Sequence, residues 1–265
     1  MPKVSIIMGV FNCANSISVA IQSLQAQTFK DWELIICDDC STDTTYDVIL
    51  KLAVEDSRII VIRNEQNSRL AFSLNHCLQY VKGEYVARMD ADDICFPDRL
   101  SVQVNFLDSN HKYNVVGGGV LLYDETGDHE TLLNPEIPSV NYMYKHIPFF
   151  HPTIMMRKDT YEDLGGYVVA SRTNRGQDMD LWFRFFARGF KGYNLQRPIL
   201  RYHDSLADTE KKNKLSVSWG FTQTMFLGFR ANHFPWYKYV WVLKPIMVSL
   251  LPQFIIYKLH KSANK

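Results

Sequence analysis

Short apolar runs alternate with longer amphipathic stretches over the first hundred residues of the chain. The runs are rich in Val, Ile and other strand-forming residues, and they predict β-strands at residues 4–10, 33–37, 58–62 and 85–89. Between these runs apolar residues recur at helical spacing, which predicts helices with one buried face. Such alternation is typical of an α/β fold whose mostly parallel sheet is covered by helices on both faces. Ligands of such sheets bind beyond the carboxyl ends of the strands.

The pattern is less regular after the fourth strand. A helix is predicted up to about Ser109, and residues 115–120 form a strand that contains consecutive glycines. Residues 124–138 are polar and lack a period, so we expect a mobile loop there, at the seam between two halves of one domain. A helix beginning near Asp178 and a last strand that ends at His203 complete this domain.

The C-terminal segment differs from the rest of the chain. From Phe221 onward it is apolar and aromatic, with scattered lysines. Lys244, Pro245 and Pro252 interrupt the run, whereas a membrane-spanning helix needs about 20 mostly apolar residues. Trp and Tyr beside lysines favour a helix that lies at a membrane surface. A helix packed on the protein's own core is the open alternative.

Charge and cysteine content exclude some classes of protein. The 265 residues include 29 Lys or Arg and 28 Asp or Glu, a balance that gives no general reason to expect nucleic-acid binding. Of the five cysteines, Cys37 and Cys40 have C-x-x-C spacing but enclose two aspartates at a predicted strand end, and we expect reduced thiols of a cytosolic protein. The N-terminal apolar run is too short for a signal peptide, so the protein is expected in the compartment where it is made.

Asp90, Asp92 and Asp93 follow the fourth predicted strand. Carboxylates at a strand end can turn into one crevice, and hard oxygen ligands of this kind suit Mg²⁺ or Mn²⁺. A cation held there would neutralise charge on a departing diphosphate. The alternative is a solvated turn followed by a helix cap.

Two further acidic sites lie at element ends. Asp39 follows the second strand and could accept a hydrogen bond from a nucleobase imide, while Ser41 caps the next helix. Asp178, at a helix start, could take a proton from an acceptor hydroxyl, although carboxylates are also common at helix starts for electrostatic reasons. His151 could contact acceptor or donor and His203 could bind the metal; structural roles remain open for both.

Together these blocks resemble the inverting glycosyltransferases with the GT-A fold, often called family 2. The resemblance rests on the first strand with Gly9–Asn12, on residues 23–28 and 32–36, on the Asp38–Asp43 turn, and on residues 83–93 followed by residues 97–100. It covers about residues 3–205. Any single block is weak, but several in the right order are specific.

The resemblance implies a role for each matching position. It implies a Rossmann-like GT-A domain with a mostly parallel central sheet, Mn²⁺ or Mg²⁺ as cofactor, a nucleotide-diphosphate sugar as donor (UDP-sugar favoured) and a glycan or lipid-linked glycan as acceptor. The expected residues are Val10, Asn12, Asp39, Arg69 and Asp90 for the nucleotide, Asp92 and His203 for the metal, His151, Asp93 and Trp182 for the acceptor or donor sugar, and Asp178 as base. The expected units are a nucleotide-sugar-binding half at 1–115, an acceptor-binding half at 116–205 and a membrane-associating helical segment at 206–265.

Three positions depart from the family pattern. Cys40 replaces the usual Gly or Asn, Arg69 stands where Gly is common, and Gln177 replaces the Glu of a Glu-Asp pair, which leaves Asp178 as its only acid. The Gln-x-x-Arg-Trp block of processive members is absent, so we expect transfer of one sugar per encounter. The expected setting is the inner face of a bacterial plasma membrane, in surface polysaccharide synthesis.

Two other functions are weighed against this prediction. Sugar-1-phosphate nucleotidyltransferases carry a Gly-rich basic loop after the first strand, whereas residues 9–14 here contain no Arg or Lys. A non-catalytic nucleotide- or glycan-binding module would not need all three acidic sites, and turnover would exclude it.

Overall fold

The computed structural model describes residues 1–203 and 215–250. In this part of the chain nine strands form one sheet, in the order β3-β2-β1-β4-β8-β6-β9-β5, with β7 paired to β6. The strands are β1 (Val4–Val10), β2 (Trp32–Asp38), β3 (Ile59–Arg63), β4 (Tyr85–Arg88), β5 (Ile94–Cys95), β6 (Val115–Asp124), β7 (Gly127–Leu132), β8 (Met155–Arg157) and β9 (Gly192–His203).

Helices cover both faces of the sheet. They are α1 (Ile17–Gln25), α2 (Thr45–Glu55), α3 (Arg69–Leu78), α4 (Arg99–Ser109), α5 (Lys158–Leu164), α6 (Gln177–Ala187), α7 (Leu215–Ala231) and α8 (Lys244–Ser249), with 3₁₀ helices at Val140–Tyr144, His151–Thr153, Ser171–Thr173 and Trp236–Leu243. The four strands predicted in the first hundred residues and the helices between them agree with the apolar pattern to within a few residues. All five cysteines are free thiols.

The sheet is parallel in its first half and mixed in its second half. Strands β3, β2, β1 and β4 pair in parallel, as the alternation of strands and helices predicts. Beyond them β8 is antiparallel to both β4 and β6, and β9 is parallel to β6. The side chains of β1 and β2 are almost all buried, because helices pack on both of their faces.

The expected loop at residues 124–138 begins instead with a β-hairpin. Strand β7 pairs antiparallel to β6, and Gly127 has a φ of 121° in the tight turn between them. The side chains of β7 are polar and largely exposed, so no apolar alternation marks this strand in the sequence. The prediction of a structureless loop was therefore wrong for its first half.

The described part of the C-terminal segment is helical and packs against the domain. A Cβ added at Gly228 of α7 would lie 2.2 Å from the Phe183 ring of α6, so the two helices approach closely there. Within residues 1–203 and 215–250, no helix is both long and apolar enough to cross a membrane. Residues 206–214 and 251–265 of the predicted membrane-associating segment lie outside the described residues.

Candidate active site

A cleft with a volume of about 810 Å³ opens at the carboxyl ends of β1, β2 and β4. Phe11, Asp39 and Asp90 reach it from these strand ends, and residues of the second half line the opposite side. Five residues predicted from the sequence line this cleft together: Asp39, Arg69, Asp90, His151 and Asp178. Its size falls within the range of about 300–1,000 Å³ that is common for small-molecule sites.

Asp39 is fixed on the cleft wall by three hydrogen bonds. Its Oδ1 accepts from Asn64 Nδ2 at 2.7 Å and from the Ser68 amide at 2.8 Å, while its Oδ2 accepts from the Arg69 amide at 2.7 Å. Each carboxylate oxygen has more than one lone pair, so the group can still accept from a ligand. This geometry suits a carboxylate that meets an N–H donor in the cleft.

The neighbouring Asp38 has a structural role. It is completely buried, accepts from the Ser41 amide at 3.2 Å, and pairs with Arg63 Nε at 3.0 Å. The Ser41 hydroxyl accepts the Asn12 amide proton at 3.0 Å and does not cap α2, which begins four residues later at Thr45. The cap predicted for Ser41 was therefore wrong. Its side chain instead joins the loop after β1 to the loop after β2.

Three residues around this wall have a left-handed backbone although none is glycine. The φ values are 51° for Asn12, 59° for Cys40 and 71° for Arg69. Cys40 and Arg69 are two of the positions where the family pattern has Gly, so the glycine-like conformation persists although the glycine does not. Such a conformation costs about 1–2 kcal/mol in a residue with a Cβ. The Arg69 side chain lines the cleft.

Asp90, Asp92 and Asp93 form a cluster at the end of β4. One carboxylate oxygen of each lies within 4.8 Å of one from the others. Asp93 is 1% exposed, and its Oδ2 has no hydrogen-bond partner among the residues that the structure describes. Burial, together with the charge of Asp90, raises the pKa of both Asp92 and Asp93 above its ordinary value. Three carboxylates with an unpartnered buried oxygen have the donor chemistry that a hard divalent cation requires.

Two buried arginines support this cluster from inside the protein. Arg88, at the end of β4, forms an ion pair with Asp90. Arg99 Nη2 donates to the Arg88 carbonyl at 2.7 Å and is itself 1% exposed. One guanidinium offsets only part of the charge of three carboxylates, so the cluster stays electrostatically strained without a cation.

Helix α6 brings Asp178 to the cleft. Asp178 lies in its first turn, where Oδ1 accepts the Met179 amide proton at 2.8 Å. Asp180 is buried instead, and it binds both Arg172 and Arg184. Arg184 donates in turn to the carbonyls of Leu164 and Gly166, so this ion-pair network fixes the start of α6 against the preceding turn. Asp180 thus supports the position of Asp178.

His151 lines the cleft but is 94% buried. Its Nε2 lies 2.9 Å from the Tyr167 hydroxyl, which in turn lies 3.0 Å from the Tyr161 hydroxyl. Burial and the charge of Arg88 hold the pKa of His151 well below its ordinary value, so the ring is neutral. Its Nδ1 has no partner in the described part of the chain.

Several predicted site residues do not reach the cleft. Trp182 is completely buried behind His151, packed on Phe149 at a ring distance of 4.6 Å, so it cannot contact a sugar. Asp93 is also too buried for sugar contact and belongs to the acidic cluster. The His203 ring packs on Tyr123 at 5.3 Å, and its backbone amide donates to Asp93 Oδ1 at 3.2 Å. His203 thus contacts Asp93 through its backbone, and it lines a neighbouring cavity together with Asp92 and Asp93. The metal role expected for its ring stays a prediction.

Val10 and Asn12, predicted to contact the nucleotide, shape the loop after β1 and do not line the cleft. The Val10 side chain is buried and its carbonyl accepts the Asp39 amide proton at 2.8 Å. The Asn12 side chain accepts the Thr42 amide proton at 2.9 Å and holds the second loop against the first. The side chain that reaches the cleft from this loop is that of Phe11, which is 46% exposed.

The sequence prediction missed other lining residues. Arg88 lies two residues before Asp90, and Tyr202 directly precedes His203. Closeness in the chain to a predicted metal-site residue is the only sequence signal that marks these two lining residues. Tyr142 and His146 come from a 3₁₀ helix and its end, in a stretch that has no periodicity in the sequence. These residues form part of the rim and are brought to it only by tertiary folding.

The model of glycosyl transferase family 2 matches residues 5–165. This match covers more than half of the chain. The chain belongs to glycosyl transferase family 2. The predicted family and the GT-A fold are thus confirmed, and they make the protein a glycosyltransferase.

Relatives agree with this assignment over most of the chain. A putative glycosyltransferase of Bacillus subtilis, EpsE, is 41% identical over 261 residues, which cover 98% of this chain and 94% of EpsE. The Escherichia coli UDP-Glc:alpha-D-GlcNAc-diphosphoundecaprenol beta-1,3-glucosyltransferase WfaP is 29% identical over 237 residues, 88% of this chain and 90% of WfaP.

Solved structures share the fold at low sequence identity. S. aureus TarS 1-349 in complex with UDP-GlcNAc has a TM-score of 0.71 at 17% identity, covering 93% of this chain and 72% of that chain. The mannosyltransferase PcManGT of Pyrobaculum calidifontis, in complex with GDP-Man and Mn²⁺, has a TM-score of 0.65 at 17% identity, covering 99% of this chain and 80% of that chain.

Proposed function

We propose that this family 2 glycosyltransferase transfers one sugar from a UDP-sugar to a hydroxyl of a lipid-linked glycan, with inversion at the anomeric carbon. The observation that carries this proposal is the position of Asp39, the Asp90–Asp93 cluster and Asp178 around one side of the sheet. WfaP is named for a UDP-Glc donor and a diphosphoundecaprenol-linked acceptor, and TarS binds UDP-GlcNAc, which supports this choice of donor and acceptor. The proposed role is bacterial surface polysaccharide synthesis.

The donor site is proposed to extend from Asp39 to the acidic cluster. Asp39 would accept the imide N–H of uracil, and Asp90 would meet the ribose or a metal-bound water. Asp92 and Asp93 would hold Mn²⁺ or Mg²⁺, whose bound charge would stabilise a departing diphosphate. PcManGT was solved with Mn²⁺, which supports the kind of metal. Arg69, on the same wall as Asp39, would contact a phosphate.

The chemical step is proposed as a single displacement. The acceptor oxygen forms a bond to the anomeric carbon while the bond from that carbon to the diphosphate oxygen breaks, and the electron pair leaves with the diphosphate. Asp178 receives the proton of the acceptor hydroxyl, a form of base assistance that is typically worth about 10²–10⁴-fold in rate. His151 lines the cleft and would form part of the wall against which the sugar lies.

Calorimetry would test the donor site first. We expect one of UDP, GDP, dTDP and CDP, with UDP favoured, to bind in Mn²⁺ and not in EDTA. Asp92→Asn should abolish this binding, whereas the matched control Asp98→Asn, at an exposed ion pair with Arg197, should bind like the wild type. Folded protein that binds no nucleotide would contradict the proposal.

A turnover assay would separate an enzyme from a binding module. The protein is incubated with the UDP-sugar whose nucleotide bound, and with a lipid-linked glycan acceptor, and the anomeric configuration of the product is determined by NMR. An inverted linkage carrying one added sugar is expected. Nucleotide binding without turnover on any acceptor would instead favour the non-catalytic module.

A further inference from the structure

The C-terminal helices present a second apolar surface, distant from the core. We define the aromatic face by Trp219, Phe226 and Leu227 of α7 together with Trp236, Tyr237 and Val240 of the following 3₁₀ helix, all of which are exposed. Trp236 is the most exposed of them, at 85%. Aromatic side chains bury large apolar areas when they find a partner, so leaving this many in water is unfavourable.

The aromatic face includes the outer side of α7, whereas the inner side of this helix packs against the domain and stabilises the fold. Phe229 on the inner side is completely buried, and its ring stacks on Phe234 at 4.4 Å. Gly220 lies against the Arg172 backbone, where an added Cβ would come within 2.8 Å of the carbonyl oxygen. A surface helix normally has polar residues opposite its packed side. Helix α7 instead has apolar residues on both sides, so its outer side is available for another partner.

Charge is distributed unevenly along the chain. Residues 211–265 contain nine of the 29 Lys and Arg residues and none of the 28 Asp and Glu residues. Residues 1–210 therefore carry an excess of acidic groups, and the overall balance hides two regions of opposite sign. An apolar surface within a purely basic segment is complementary to an anionic partner.

Three lysines accompany the 3₁₀ helix that carries part of the aromatic face: Lys238 lies within it, Lys244 at its end, and Lys145 against its Trp241 ring. Lys145 Nζ is 4.7 Å from the centre of the Trp241 ring, and Lys238 Nζ is 5.1 Å from that of Tyr144. Among residues 1–203 and 215–250, no carboxylate lies within 4.0 Å of the ammonium groups of Lys145, Lys238 or Lys244. Lys238 Nζ donates to Asn141 Oδ1 at 2.7 Å, so the three ammonium groups lack a carboxylate partner in this part of the chain but are not all without a hydrogen bond. Their positive charges are thus not neutralised there and can attract an anion.

The lysines adjoin the rim of the cleft through His146. Lys145 directly precedes His146 in the chain, and burial together with the charges of Lys244 and Lys145 lowers the pKa of His146. His146 itself lines the cleft. The basic groups therefore connect the aromatic face with the site where the acceptor enters.

We propose that the aromatic face docks on an anionic lipid bilayer, with Lys145, Lys238 and Lys244 at the lipid phosphates and the rim of the cleft at headgroup depth. Trp and Tyr favour the membrane interface, where their rings are half immersed. Each lysine near an anionic bilayer contributes attraction that falls off within a Debye length. The orientation toward the acceptor rests on the proposed function, but docking itself does not.

Co-sedimentation with vesicles would test docking on the full chain. Vesicles of phosphatidylcholine and phosphatidylglycerol in equal parts should bind the protein at low salt, and vesicles of phosphatidylcholine alone should bind it weakly. Each of Lys145→Gln, Lys238→Gln and Lys244→Gln should weaken binding about fivefold, and Trp236→Ala about tenfold. The control variants Lys191→Gln and Tyr80→Ala, at exposed positions elsewhere, should bind like the wild type.

Two results would overturn the proposal. One is folded wild-type protein that does not sediment with anionic vesicles at low salt. If sedimentation velocity then shows a dimer that Trp236→Ala dissociates, a second copy of the chain covers the aromatic face. The other is vesicle binding that the lysine and Trp236 variants leave unchanged. Nucleotide calorimetry without lipid judges the donor site separately, so a failure of docking and a failure of the proposed function can be told apart.

Discussion

Two acidic pairs follow the parallel strands β2 and β4, which lie on either side of β1, and the surroundings of the two pairs are opposite. At the end of β2, Asp38 and Asp39 are held by amides, an asparagine and Arg63. At the end of β4, Asp92 and Asp93 face each other and Asp90, with one buried oxygen unpartnered. The same residue type at equivalent strand ends therefore gives one completed hydrogen-bond network and one centre of unbalanced negative charge.

The difference shows what each pair can do. A carboxylate that already has its donors is a rigid acceptor, which suits recognition of a planar base edge. Carboxylates that repel one another are unfavourable alone and gain when a cation joins them. Function in this cleft thus depends on which acidic group the fold satisfies and which it leaves for a ligand.

The largest expected effect comes from Asp92→Asn. Loss of a charged ligand should lower transferase activity by about 10³-fold, and Mn²⁺ should no longer raise the melting temperature. The metal-free variant should be more stable than the metal-free wild type by about 1 kcal/mol, because one of three like charges is gone. Thermal melts with Mn²⁺ and with EDTA measure both the effect of the metal and the stability of the metal-free proteins. A metal-free variant that is less stable than the metal-free wild type would contradict electrostatic strain in the cluster.

Asp178→Asn should lower kcat by about 10²–10⁴-fold while nucleotide affinity stays unchanged. The neighbouring Asp180→Asn serves as the contrast, because it breaks the pairs to Arg172 and Arg184. It should lower the free energy of unfolding by about 3 kcal/mol. Urea unfolding and steady-state rates distinguish the two variants. Equal losses of stability in both would refute the assignment of Asp178 as the base and of Asp180 as the residue that supports its position.

Asp39→Asn should affect both binding and stability. An amide cannot accept from all of the groups that now donate to Asp39, and its own N–H₂ would face a donor. We expect a loss of about 2–3 kcal/mol in unfolding free energy and weaker nucleotide binding. Mn²⁺ binding alone, measured by calorimetry, should not change; if it did, the two acidic pairs would not be independent.

Arg69→Gly separates backbone strain from the charge of the side chain. Glycine adopts a φ near 71° without a Cβ clash, so the variant should be as stable as the wild type or more stable by up to about 1 kcal/mol. The affinity for UDP should fall severalfold because a cleft cation is lost. Arg69→Lys is the control, since it keeps the charge and the strain, and it should retain most of the affinity.

The smallest effect concerns a satisfied carboxylate far from the cleft. Hydrogen bonding to Arg58 lowers the pKa of Asp56 from 3.8 to about 2. A lowered pKa stabilises the fold above pH 3.8, and this contribution disappears as the pH falls toward about 2. Asp56→Asn should therefore cost about 1 kcal/mol at neutral pH and nothing at the acid end. Urea unfolding against pH measures this, with exposed Asp47→Asn as the unaffected comparison.

Most of the first half could be predicted from the sequence. Buried strands such as β1 and β2 are short apolar runs, and the acidic residues that follow them fall at one edge because parallel strands share direction. Helix α6 and the position of Asp178 also followed from the pattern. These features depend on local composition and on the geometry of parallel sheets, both of which the sequence displays.

The errors concern side-chain surroundings. Trp182 is one helical turn after Asp178, yet it is completely buried behind His151 and does not reach the cleft. No sequence pattern indicates that the His203 backbone amide contacts Asp93, and the metal role of its ring stays a prediction. Strand β7 is polar on both faces and so leaves no apolar period. Whether a side chain or a backbone group reaches a site depends on packing between distant segments, which spacing alone does not encode.

Strand β9 sets the smallest part of the chain that can fold. It runs beside β6, pairs with β5, and ends at the amide that contacts Asp93. The family match ends at residue 165, before this strand begins. A polypeptide cut there would expose the backbone of β6 and β5 as open edges, which invite association between chains. Gene fusions and truncations should therefore keep the chain intact at least through residue 203, or they will produce aggregates.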